Sequence, residues 1–203
     1  MAYRGEVLTG ATAVGIRVSE GVVLAAEKRI AYGGYVVSRV GKKVFLIKDR
    51  FGLACAGLFA DVQTISRLMN VEIHWYELET SRPMSVKTAA KLLSTILYQY
   101  KYMPFLSEII FGGVDLEGPH IFVMDPLGSL IEDDYAAVGT GAPIAIGVIE
   151  SEYSKDMSLE LAEKLAVKSI KAAISRDAVS GDGVDVVVIG RGRSYEKFYQ
   201  VIS

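Results

Sequence analysis

The sequence predicts an α+β protein built as a four-layer α-β-β-α sandwich of two antiparallel sheets. Three observations predict it. The order runs strands, two helices, strands, two helices, strands, without the βαβ alternation that builds parallel sheets. Segments such as GVDVVVIG are apolar at nearly every position, as expected when both faces of a sheet are covered. The helical segments carry their apolar residues on one stripe, which suits a face packed on a sheet. At 203 residues and 51% hydrophobic composition, the chain suffices for one domain with a large core.

The elements follow in order. TAVGIRV (12–18), GVVLAAEKR (21–29), YGGYVVSR (32–39), KKVFLIKD (42–49) and FGLACAG (51–57) are short, rich in β-branched residues and separated by glycine or charged turns, which is hairpin spacing. Two helices are expected next, over 61–80 and 85–102. Val62, Ile65, Leu68, Met69 and Ile73 form one stripe; Ala89, Leu92, Leu93, Ile96, Leu97 and Tyr100 form the other. Further strands are read in SEIIFGGVD, HIFVMDPLGSLIED and YAAVGTG, punctuated by Gly112-Gly113 and Pro126-Leu127-Gly128. A helix from about Pro143 to Tyr153 precedes one from about Leu159 to Arg176, with Ser158 as its N-cap and Glu160 in its first turn. GVDVVVIGR and YEKFYQVI close the chain as strands.

Composition removes several function classes. A net charge of −2 with mixed signs offers no basic stripe for nucleic acid and no polybasic anchor for a membrane. The longest apolar stretch, AAVGTGAPIAIGVI, is too short and glycine-rich to span a bilayer, and residues 1–10 lack a secretory pattern, so a soluble protein is expected. The single cysteine, Cys55, lies in an apolar run and fits a reducing cytoplasm. His74 and His120 have no Ser, Cys or metal-ligand spacing around them, and no nucleophile elbow, P-loop or dinucleotide fingerprint is present. What remains is charge in unusual places: Glu27, Lys28 and Arg29 end an apolar strand, and Lys42-Lys43 opens another.

Taken in order, AAEKR (25–29), GKKVF (41–45), AGLFADVQ (56–63), QYKYMPF (99–105), FGGVD (111–115), AAVGTGAP (136–143), GVIESEY (147–153) and RDAVSGDGVDV (176–186) resemble the proteasome β subunits, most closely the archaeal type. The resemblance covers nearly the whole chain from Thr12 onward. It implies the N-terminal nucleophile hydrolase fold and a threonine-type endopeptidase that cuts unfolded polypeptide inside a barrel, without cofactor or metal. It implies heptameric rings stacked on α-subunit rings through which a regulatory ATPase acts. It also implies a leader, here residues 1–11, ahead of one domain over 12–203. In such an enzyme the exposed threonine hydroxyl attacks while the α-amine, which titrates at about 7.7 to 8.0, serves as base.

Carried onto this sequence, the resemblance makes Lys43 the lysine beside the nucleophile and Glu27 its acidic partner. Asp177 and Ser180 support the threonine amine, Thr140 replaces a family serine, and the Gly57 N–H faces the oxyanion. The specificity pocket maps to Ile30, Ala31, Gly41, Phe45, Cys55 and Phe59, an apolar set that predicts cleavage after hydrophobic residues. The departure is at the nucleophile itself. Without a gap, Gly10 precedes the scissile bond and Ala11 occupies the threonine position, while Thr12 stands one residue late. A one-residue shift in a strand turns a side chain to the other face. Three readings stand: cleavage before Thr12 makes it the nucleophile, the subunit is a natural non-cutting member of the ring, or Ala11 is an introduced replacement of threonine.

Overall fold

The structure is a computed structural model that describes residues 10–33 and 35–201. Residues 1–9 of the expected leader lie outside the described residues.

The first sheet uses β1 (Thr12–Val18), β2 (Gly21–Glu27), β10 (Tyr135–Gly139), β11 (Val184–Gly190) and β12 (Arg193–Tyr199) in the order β10-β1-β2-β11-β12. The second uses β5 (Val44–Ile47), β6 (Phe51–Gly57), β7 (Ser107–Asp115), β8 (Gly118–Met124) and β9 (Ile131–Asp133) in the order β5-β6-β7-β8-β9. Neighbouring strands in both are antiparallel. Helices α1 (Phe59–Thr80) and α2 (Val86–Gln99) cover the second sheet, and α3 (Ala142–Glu152) and α4 (Leu159–Ile174) cover the first.

The period of two in the strands explains the layers. On β11, Val184, Val186 and Val188 face α3 and α4, while Val187 and Ile189 face the opposite sheet. On β1, Val14, Ile16 and Val18 face the helices, and Ala13, with Ala11 just ahead of the strand, faces the opposite sheet. The sheets meet closely because small residues oppose large ones. A Cβ on Gly15 of β1 or Gly52 of β6 would run into the Leu24 side chain. Leu24 is therefore wedged between the sheets with no exposure, and Leu24→Ala is expected to cost about 2–5 kcal/mol in chemical denaturation.

Local chemistry moves several expected boundaries. The strand expected over 32–39 does not join either sheet; it forms a separate hairpin of β3 (Ile30–Tyr32) and β4 (Tyr35–Ser38). The segment HIFVMDPLGSLIED divides into β8 and β9, because Asp125 turns the chain by accepting the Leu127 and Ser129 N–H groups at 2.8 and 3.1 Å. Ser158 caps α4 through the Leu161 N–H at 3.3 Å, and Ser85 caps α2 through the Thr88 N–H at 3.1 Å.

Candidate active site

Antiparallel pairing collects the predicted residues at one end of the sandwich. The start of β1 lies beside the end of β2, which lies beside the start of β11; the pairs are Ala13 with Ala26 and Glu27 with Val184. In the other sheet the end of β6 meets the start of β7 as Gly57 opposite Ser107. Ala11, Thr12, Glu27, Gly57 and the loop before β11 thus converge although they come from distant parts of the sequence.

The centre is a buried ion pair. Lys43 Nζ donates to Glu27 Oε1 and to the Arg29 carbonyl oxygen. Glu27 is fully buried and Lys43 is 3% exposed. The second carboxylate oxygen of Glu27 accepts the Arg29 N–H at 2.7 Å and the Gly181 N–H at 2.9 Å. The Thr12 N–H reaches Glu27 Oε1 at 3.4 Å. Burial pushes the Glu27 carboxyl up and the Lys43 ammonium down, each against the attraction of the other. Both partners of this pair are desolvated, so removing either one would leave the other's charge buried and unpaired.

A directed chain of hydroxyls lies beside it. Asp177 Oδ2 accepts from Thr140 Oγ1 at 2.6 Å and from Ser180 Oγ at 2.7 Å. With its proton given to Asp177, Ser180 Oγ accepts from Thr12 Oγ1 at 2.8 Å, and Thr12 Oγ1 in turn accepts the Gly141 N–H at 3.1 Å. The Ala11 carbonyl accepts the Thr140 N–H at 2.9 Å. Gly139 permits that approach: its φ is +91°, and a Cβ there would meet the Ala11 carbonyl. Gly57 is held at φ +142°, a conformation that glycine tolerates and that turns β6 into α1.

Ala11 and Thr12 are separated by the strand itself. Ala11 belongs to the layer between the sheets and lines a cleft with Gly57 and Thr140. Thr12 shows no exposure, and its hydroxyl is engaged by Ser180 and Gly141. A Cβ on Gly141 would strike the Thr12 side chain and Ala173 of α4, which marks the helix side of the sheet.

The predicted pocket residues are only partly together. Ile30, Ala31 and Phe59 line a small crevice with Gly10, Lys43 and Gly57. Gly41 backs Ile30, since a Cβ there would meet the Ile30 side chain. Cys55, by contrast, is fully buried in the core beneath α1 and α2, where Phe45 also packs. The reason is the period of β6: Ala54 and Ala56 face the other sheet and Cys55 faces the helices. Burial pushes the Cys55 thiol well up, which keeps it protonated and inert.

Comparison with known sequences supplies the family. The sequence pattern of the family described as "Proteasome subunit" matches residues 7–189. The chain belongs to the proteasome subunit family. Among its relatives, "Proteasome subunit beta 1" of Hyperthermus butylicus is 60% identical over 184 residues, 90% of each chain. "Proteasome subunit beta 2" of Pyrobaculum calidifontis is 55% identical over 192 residues, 95% of each chain, and that of Pyrobaculum neutrophilum is 52% identical over 196, 97% of each. The protein is an archaeal-type proteasome subunit of the β kind.

Sequence reasoning did not find the backbone donors of this proteasome subunit. Gly181 and Gly141, which hold Glu27 and Thr12 through backbone N–H groups, lie in SGDG and GTGA, where no side chain marks them as donors. Ser107 and Glu108 at the start of β7 also escaped notice, because only the pairing of β7 with β6 brings them beside Gly57.

Proposed function

We propose that this chain builds the β ring of a 20S core particle together with α subunits, in the cytoplasm, and that position 11 is the reacting position of its peptide-hydrolysing site. The ring is heptameric, a regulatory ATPase feeds unfolded polypeptide through the α ring, and no cofactor takes part. In this reading Lys43, Glu27, Asp177, Ser180, Thr140 and the Gly57 N–H form the surroundings of a nucleophile, and Ile30, Ala31 and Phe59 receive the apolar residue before the cut. The chain as it stands contributes that frame without the hydroxyl, and it serves as a non-cutting subunit that keeps its leader.

The observation that carries this reading is the direction of two adjacent side chains. Both residues are buried, but Ala11 lies in the layer between the sheets and lines the cleft beside Gly57, whereas the Thr12 hydroxyl is committed to Ser180 and Gly141. For Thr12 to attack, the start of β1 would have to slip by one residue and exchange its faces. Intact mass after co-assembly with α subunits tests the proposal. A full-length chain is expected; loss of residues 1–11 would contradict it and make Thr12 the new N-terminus.

A further inference from the structure

The cleft of about 440 Å³ beside Ala11 holds two groups that the catalytic frame does not use. Ser107 is 1% exposed and lines this cleft, yet its Oγ has no hydrogen-bond partner among the described residues. A buried hydroxyl left unpaired is costly, which is why nearly all such groups are satisfied. Glu108 is the next residue. One of its carboxylate oxygens accepts the Gly139 N–H at 2.7 Å, and among the described residues Glu108 is the single ionisable residue in the cleft wall.

Polarity follows from the chain itself. Gly57 borders both this cleft and the crevice of Ile30, Ala31 and Phe59, so the two spaces flank the oxyanion position. Gly10 lies in the crevice and Ala11 in the cleft. The crevice is thus on the acyl side of a bond at this point, and the cleft is on the amine side.

We propose that Ser107 and Glu108 form a subsite for the residue that follows the scissile bond, and that this subsite favours a lysine or arginine there over an acidic residue. Ser107 supplies its unpaired hydroxyl to the peptide backbone, and Glu108 supplies the charge. The inference rests on the reading of position 11 as the reacting position.

The test uses assembled particles and peptides alike except for Lys, Gln or Glu after an apolar residue. Fluorescence anisotropy with particles whose chain begins at Ala11, so that the leader leaves the crevice free and no hydroxyl cuts the peptide, is expected to rank Lys above Gln above Glu, with about fivefold between the extremes. Glu108→Gln, which retains an acceptor for Gly139, should flatten the series. Ser107→Ala should weaken all three peptides about threefold and leave their ranking unchanged. Equal binding of the three peptides, or no binding of any, overturns the subsite. Cleavage of the same series by the Ala11→Thr particle keeps the two proposals apart: no cleavage overturns the reading of position 11, whereas cleavage without charge preference overturns the subsite alone.

Discussion

Replacing Ala11 by threonine is expected to raise peptide hydrolysis by an order of a millionfold, because the loss of a nucleophile from an otherwise complete hydrolase costs on that order. The gain should be measured on a fluorogenic peptide with an apolar residue before the cut. It should come with removal of residues 1–10, since only then does a free α-amine become available as base. The rate should rise with pH as that amine loses its proton, with a midpoint no higher than about 8, because the Lys43 ammonium nearby disfavours a second positive charge. The remaining groups need no rearrangement. Lys43 is already fixed by Glu27 and the Arg29 carbonyl, and Asp177 already holds Thr140 and Ser180.

Lys43→Ala carries the second large effect, on stability. The variant strands a fully buried carboxylate at Glu27, and breaking a buried pair from one side costs about 3–5 kcal/mol. Chemical denaturation at neutral pH should show it. The pH dependence distinguishes this cause from simple loss of packing. Burial already holds the Glu27 carboxyl above its usual range, and removing Lys43 takes away the main influence that lowers it. A carboxyl raised in the folded state binds more protons there than in the unfolded chain. The deficit of the variant relative to the unaltered protein should therefore be smallest below about pH 4.3 and grow as pH rises through the folded value of Glu27. The double variant Lys43→Met, Glu27→Gln should recover much of the loss, since it leaves no buried charge.

Layering was legible in the sequence because burial follows period. Strands β2 and β11 are apolar on both faces, and α2 and α4 carry apolar stripes behind serine caps, so four layers follow from pattern alone. The hairpin β3–β4 was not legible as a separate unit, because its alternation resembles that of a sheet strand and only tertiary pairing tells them apart. Within the site, Glu27 and Lys43 stood out as charges at the ends of apolar strands, and their union required the fold. The donors from Gly141 and Gly181 are backbone groups, and side-chain identity carries little trace of them. Cys55 shows the opposite difficulty. Its place in the apolar mapping is compatible with a pocket or a core, and the face of β6 assigns it to the core under the helices.

The most direct test of the account is the site of covalent capture by an electrophilic peptide that ends in an apolar residue, followed by mass mapping of the assembled particle. The account predicts no adduct on the unaltered chain, an adduct at position 11 in Ala11→Thr, and the Thr12 hydroxyl unmodified in both. An adduct on Thr12 of the unaltered chain, with residues 1–11 gone, would contradict it.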